Sequence, residues 1–225
     1  MSFHSIAIDG PSGAGKSTLA KMLAEQLGFL YVDTGAIYRT VGLWTAKNET
    51  DPHDASAVTG LLDTLSIELS HGTDGLQHMV LNGEDVTQAI RRHAISAYAS
   101  AVSAIPQVRA FLLEMQRSLA RTHNVVMDGR DIGTVVLPNA DVKIFLTAAP
   151  EDRARRRYEE LLERGQQAEY ETVLKDLKER DWNDSTRAEA PLCRAEDALL
   201  IDTTGNSLEK SFQILLKTVK EHINL

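Results

Sequence analysis

Residues 5–27 constrain the fold of this chain more than any other stretch. A continuous apolar run, SIAID (5–9), leads into Gly10-Pro11-Ser12-Gly13-Ala14-Gly15-Lys16-Ser17-Thr18, and Leu19, Leu23 and Leu27 then recur at i, i+4, i+8. A strand, a glycine-rich turn and a leucine-striped helix in immediate succession form one β–loop–α unit. Gly10, Gly15, Lys16 and Ser17 fit the pattern G-x-x-x-x-G-K-[ST]. Glycines there let backbone N–H groups turn inward around a polyphosphate, and the helix N-terminus adds partial positive charge. Lys16 is placed to reach β- and γ-phosphates, and the Ser17 hydroxyl can ligate Mg²⁺. The competing reading is a glycine-rich turn that merely starts a helix and leaves Lys16 solvated. The strand before it and the striped helix after it argue for a nucleotide site.

Four more apolar runs read as strands: LYVD (30–33), VVMD (125–128), VKIFL (142–146) and LLID (199–202). They are continuous rather than alternating, as strands covered on both faces are. A helical stripe lies between them at Val108, Phe111, Leu112, Met115 and Leu119 after Pro106, and another follows the last run at Leu208, Phe212, Leu215, Val219 and Ile223. The alternation predicts an α/β fold, a five-stranded parallel sheet with helices on both faces. One stretch departs from it. Residues 65–87 are rich in turn formers, and Asn82-Gly83 is a strong hairpin signal, so a small antiparallel sheet is expected as an insertion.

A chain of 225 residues suits one sizeable core with a small subdomain. Its formal net charge of −8 attracts neither nucleic acid nor anionic membranes, so any anion site must be local. Cys193 is the single cysteine, which excludes an internal disulfide and fits a reducing compartment. The N-terminus lacks the pattern of a signal peptide, and no apolar run approaches the roughly 20 residues of a membrane span. A soluble cytoplasmic monomer is expected.

A phosphate loop can serve a switch, a motor or a kinase. No Asn-Lys-x-Asp guanine reader occurs, and no second large domain is available to be driven. A small-molecule kinase needs a second phosphate site, a lid and several cations. DTGAIYR (33–39) offers Tyr38 as a wall and Arg39 for phosphate; equally, Asp33 or Thr34 could cap a helix with Arg39 exposed. In MDGRDIG (127–133), Asp128 ends a strand where it could act on a metal's water shell, with Arg130 and Asp131 following; a plain turn is the other reading. Arg153, Arg156 and Arg157 share a helix face and could clamp ATP, or could pair with Glu159, Glu160 and Glu163. Arg180, Asp184 and Arg187 fall at i, i+4, i+7. If the helix runs that far they form a row suited to sugar hydroxyls and phosphate, or a ladder of ion pairs. Two other functions stay open: a kinase for UMP, AMP or shikimate, and a nucleotide-dependent regulatory or RNA-binding protein.

IDGPSGAGKST, DTGAIYR, DGRDIGTVV, KIFL and ERD…DS.R…APL together resemble the bacterial cytidylate kinases, nucleoside monophosphate kinases, over essentially the full length. The resemblance implies Mg²⁺-dependent phosphoryl transfer from ATP to CMP or dCMP, in line and without a covalent enzyme intermediate. It implies a core ATP-binding domain (1–34, 105–150, 190–225), a CMP-binding domain (35–104) carrying the inserted sheet, and a lid with its flanking helices (151–189). Ser100, Arg109 and Asp131 correspond to cytosine readers; a carboxylate accepting from the cytosine amino group disfavours uracil. Arg39, Arg130 and Arg187 correspond to cations on the acceptor phosphate, and Arg180 and Asp184 to sugar contacts. Thr34 stands where the family uses a small hydroxyl residue. Lys16, Asp128, Arg130 and Arg187 are the expected catalytic group, with Ser17 and, through water, Asp128 on the metal. The insertion, the lid around 164–170 and the C-terminal helix are the variable parts.

Overall fold

In a computed structural model, residues 3–72, 77–163 and 165–223 are described. Residues 73–76 of the expected insertion, and Arg164 at the start of the variable lid stretch, lie outside them. In chain order the elements are β1 (Ser5–Asp9), α1 (Lys16–Leu27), β2 (Leu30–Asp33), α2 (Thr34–Lys47), α3 (Ala55–Leu61), β3 (Ile67–His71), β4 (Gln77–Leu81) and β5 (Glu84–Asp85). Then follow α4 (His93–Val102), α5 (Pro106–Thr122), β6 (Val125–Gly129), β7 (Val142–Thr147), α6 (Pro150–Glu163), α7 (Tyr170–Thr186), β8 (Leu199–Asp202) and α8 (Leu208–His222).

Two compact units result, one from Met1–Tyr31 with Thr122–Leu225, the other from Val32–Arg121. Nearly all of α5, expected within the core segment 105–150, falls in the second unit, and residues 151–189 are part of the first.

The main sheet runs β2-β6-β1-β7-β8, with β1 parallel to both β6 and β7, and β7 parallel to β8. Strand residues alternate between faces. On one face Ile6, Ile8, Val126, Ile144 and Leu146 pack against Leu19 and Leu23 of α1 and Phe212, Leu215 and Val219 of α8. On the other, Ala7, Val125 and Met127 are fully buried as well. Burial on both faces is why these strands read as unbroken apolar runs. The central position of β1 puts its carboxyl end, and the loop that follows, at the point where the chain order diverges, the usual ligand position of open α/β sheets. Helices α6 and α7 pair through Ala154, Leu161, Val173 and Leu177.

In the second unit α2 packs against α4 and against β4. The antiparallel sheet β3-β4-β5 is the expected insertion, and Asn82 and Gly83 link β4 to β5 with φ of 49° and 84°. Two left-handed central residues give the turn whose twist matches a two-residue hairpin. Residues Gln77, Met79 and Leu81 form the buried side of β4. No helix among the described residues is long and apolar enough to cross a membrane.

Candidate active site

The loop after β1 is shaped by close approach. Gly10 has φ 149°, and a Cβ there would stand 1.9 Å from the Leu146 carbonyl oxygen of β7. Only glycine lets the backbone pass. Lys16 opens α1, is 5% exposed, and donates from Nζ to the Pro11 carbonyl at 2.8 Å, so the loop wraps its own ammonium group. Burial pushes the Lys16 pKa down to about 7, and Arg130 adds to this while Asp128 and Asp9 oppose it. An ammonium held at such cost favours an incoming polyanion.

Asp128, near the end of β6, is gripped on both oxygens. Ser17 Oγ donates to Oδ2 at 2.9 Å and the Tyr31 phenol donates to Oδ1 at 2.8 Å. A serine hydroxyl and a carboxylate in contact form a hard-oxygen pair that fits a hydrated magnesium ion bound mainly through phosphate. Next to Asp128 in space stands Asp9, paired in register with Gly129. Its buried carboxylate accepts the N–H groups of Ile132 (2.8 Å) and Gly133 (2.7 Å), which open a π-helical turn, Ile132–Val136. Burial raises the Asp9 pKa to about 6 against the lowering effect of those two donors. Asp9 thereby fixes the exit of the segment carrying Arg130 and Asp131. Sequence reasoning singled out neither Asp9 nor Tyr31. The signal was there for Asp9, a polar residue closing an apolar strand.

Arg130 and Asp131 each meet an oppositely charged residue from the end of α7. Arg130 Nε donates to Asp184 Oδ2 at 2.8 Å, and Arg187 Nη2 stands 3.6 Å from Asp131 Oδ1. Burial alone would raise the Asp184 pKa, but Arg130, Arg180 and Arg187 outweigh it and hold the carboxyl below its ordinary value. The condition for a single helical row, that the helix reach Arg187, is not met. Helix α7 stops at Thr186, and Arg187 has extended backbone (φ −61°, ψ 145°). Its guanidinium turns back to donate to the Ala190 carbonyl from Nε (2.9 Å) and Nη2 (2.6 Å). Ala190 has φ 46°, and the N–H of Leu192 closes onto the Asp184 carbonyl at 2.7 Å.

The arginines of α6 have three different sets of partners rather than one shared target. Arg153, 3% exposed, donates to the carbonyls of Ala148 (2.8 Å) and Ser12 (2.9 Å) and pairs with Asp181 at 2.7 Å. It braces the phosphate loop through the backbone of Ser12. Arg156 donates to the carbonyl and hydroxyl oxygens of Thr203, at 2.7 and 3.2 Å. Arg157 makes the intrahelical pair, with Glu160, at 2.7 Å.

In the second unit, Asp33 caps α2 by accepting from Ala36 N–H at 2.8 Å, and its other oxygen accepts from Arg39 Nη2 at 2.8 Å. The capping alternative therefore describes Asp33, but Arg39 is pinned to the cap rather than left extended in solvent. Arg39 Nε is buried and makes no hydrogen bond. Thr34 is buried at the start of the helix. The Arg109 guanidinium lies 5.6 Å from the Tyr38 ring centroid and donates to the Ser103 carbonyl at 3.1 Å, while Ser103 Oγ donates to the Ser100 carbonyl at 2.8 Å. The unit thus gathers Tyr38, Ser100 and Arg109.

A phosphate loop on the central strand of a parallel sheet, a buried lysine in it, and paired arginines and aspartates beside the next strand define a P-loop kinase. The fold is shared with solved structures of an uncharacterized protein from Eubacterium ventriosum (14% identity, TM-score 0.53, 96% of this chain and 98% of the other) and of a protein from Thermus thermophilus (18%, 0.50, all of both chains). The profile of the Cytidylate kinase family matches residues 6–221. A relative named Cytidylate kinase from Caldicellulosiruptor bescii is 51% identical over 222 residues, 97% of this chain and 98% of its own. Those of Carboxydothermus hydrogenoformans (49%; 95% and 96%) and Geobacter sulfurreducens (48%; 96% and 92%) carry the same name. The chain belongs to the cytidylate kinase family.

Proposed function

We propose that the chain transfers the γ-phosphoryl group of ATP to CMP or dCMP, yielding ADP and CDP or dCDP. Membership of the family supports this reading. The structural observation that carries it is the pair of contacts Arg130–Asp184 and Arg187–Asp131, in the same unit as the phosphate loop. A nucleotide-binding loop alone serves many ends; cations and carboxylates grouped with it suit a second, phosphorylated substrate with a sugar and a base.

An oxygen of the acceptor phosphate attacks the γ-phosphorus in line, and the β–γ bridging oxygen leaves with ADP. Such transfer asks for positioning and charge neutralisation rather than a strong base. The backbone of Gly10–Thr18 cradles the triphosphate, Lys16 meets its β- and γ-oxygens, and Arg153, Arg156 and Arg157 support the ATP side. Arg39, Arg130 and Arg187 neutralise the acceptor phosphate. Arg180 and Asp184 hold the sugar, with Thr34 and Tyr38 contributing to the same substrate. Ser100, Arg109 and Asp131 read cytosine, Asp131 by accepting from the amino group. Ser17 and, through water, Asp128 would hold Mg²⁺, which supplies neutralising charge to the phosphates. The division into ATP-binding core, CMP-binding domain and lid belongs to the same proposal. So does action as a cytoplasmic monomer with ATP and CMP as its partners, supported by the charge of −8 and the lone cysteine.

The test is ADP release coupled to a visible readout, with CMP, dCMP, UMP and AMP as acceptors. Rapid turnover is expected on CMP and dCMP, and UMP should be slower by about tenfold or more, the discrimination one wrong base edge confers. Equal rates on CMP and UMP would remove Asp131 as base reader. ADP release with none of the four would overturn the function. Lys16→Ala should depress turnover severely with CMP; near-normal turnover would exclude the role given to the phosphate loop.

A further inference from the structure

Gln77 opens β4 of the inserted sheet, on the side that also carries Met79 and Leu81. Period-2 alternation asks for an apolar residue there, and a buried amide is costly unless its polar atoms are satisfied. Gln77 satisfies them outside its own sheet. Its Oε1 accepts the Asp33 N–H at 2.8 Å and its Nε2 donates to the Asp33 carbonyl at 3.2 Å. A side-chain amide has here made the two bonds that a neighbouring strand makes to a hydrogen-bonded residue. Nε2 also lies 3.2 Å from the Met79 sulfur, a weak acceptor.

Holding the N–H and C=O of Asp33 fixes the backbone from which its carboxylate projects. Oδ1 accepts from Ala36 N–H and Oδ2 from Arg39 Nη2, each at 2.8 Å. The guanidinium lies back over the first turn of α2, and a Cβ on Gly35 would stand 3.1 Å from Arg39 Nη1 and 3.0 Å from Asp33 Oδ1. One donor of that fixed guanidinium, Nε, is buried without a hydrogen bond. Buried donors are rarely left unmatched.

We propose that Gln77 is a positioning residue for the acceptor phosphate: through the backbone and carboxylate of Asp33 it sets the Arg39 guanidinium, and the inserted sheet thereby tunes CMP binding. The proposal rests on the reading of Arg39 as a phosphate ligand. Two features separate it from simple packing. Apart from the weak contact to the Met79 sulfur, the amide spends its bonds outside the sheet, and the contacts on both sides of Asp33, from Gln77 to its backbone and from Arg39 to its carboxylate, are directional hydrogen bonds.

The experiment is a double-mutant cycle on the full chain, read by steady-state kinetics with CMP and ATP varied separately. The variants are Gln77→Ala, Gln77→Glu, Arg39→Met and Gln77→Ala with Arg39→Met. Gln77→Ala should raise KM for CMP about tenfold, the worth of one charge-assisted hydrogen bond, and change KM for ATP and kcat less than about twofold. Gln77→Glu keeps the acceptor for Asp33 N–H and loses the donor, so its KM for CMP should lie between; it also carries the test if the alanine variant does not fold. Added to Arg39→Met, Gln77→Ala should change KM for CMP by less than about twofold, because residues acting through one contact are not additive. Equal effects on both backgrounds, no effect of Gln77, or a parallel rise in KM for ATP would overturn the inference while leaving Arg39 as a ligand. An Arg39→Met enzyme with unchanged KM for CMP would overturn the phosphate-ligand reading itself, and this inference with it.

Discussion

Asp9 and Asp184 are both buried carboxylates, and their surroundings drive them apart. Three arginines hold Asp184 in its ionised form, whereas Asp9 has two backbone donors and a burial penalty that lifts its pKa from 3.8 to about 6. The folded value of Asp9 lies above the unfolded one, so ionising it costs the folded state more. Its contribution to stability is most favourable below about pH 4 and declines as pH rises through about 6, by roughly 3 kcal/mol in total. The unfolding free energy of the wild type relative to Asp9→Asn should fall by that amount over this window, measured by urea denaturation at several pH values; a flat difference would contradict the burial described. Asp184 has the opposite sign. Its folded pKa is depressed, so its stabilisation is present above the unfolded value and is lost as pH falls through the folded one. Asp184→Asn leaves Arg130 without its carboxylate and should cost about 3 kcal/mol at neutral pH, the scale of breaking a buried pair.

The β1–loop–α1 unit is set by a contact that belongs to neither strand nor helix, the passage of Gly10 beneath the Leu146 carbonyl. Gly10→Ala should cost more than about 2 kcal/mol of stability and weaken ATP binding at least about tenfold, because backbone on both sides cannot yield and φ is unfavourable. Calorimetric melting and ATP titration would check it. Elements with strong local patterns were legible in the sequence. Five apolar runs became strands within a residue of their read limits, and the Pro106 and Leu208 stripes became α5 and α8. The end of α7 was not legible. Ser185 and Thr186 send their hydroxyls back to the carbonyls of Asp181 and Trp182, an intrahelical competition that spacing between charged residues does not reveal. Arg153 meets Ser12, Arg156 meets Thr203, and Gln77 meets Asp33, all far apart in sequence. Residue type marked these side chains as capable of the contact; only the fold selected the partner. Tyr31 was missed for a related reason, since an aromatic in a strand reads as core until its hydroxyl is seen on Asp128.

Taken as a whole, the molecule is acidic, with a formal charge of −8, while Lys16, Arg130, Arg153 and Arg187 are held within one of its two units. An acidic excess of this size disfavours polyanions over the surface as a whole and leaves anion binding to local groups such as these. Nucleotide affinity should therefore weaken with added salt, whereas RNA should give no mobility shift at about 0.15 M salt. A salt-sensitive RNA complex would contradict this charge distribution. The closure of Leu192 onto the Asp184 carbonyl also has a practical use. The next residue, Cys193, is exposed and is the only thiol in the chain. A maleimide dye would attach there without any cysteine having to be removed, and the exposed indole of Trp182 supplies a second spectroscopic handle on the same stretch. The turn that gathers Arg187 and Ala190 thus comes with its own labelling site, and dye emission during a nucleotide titration would follow that turn directly.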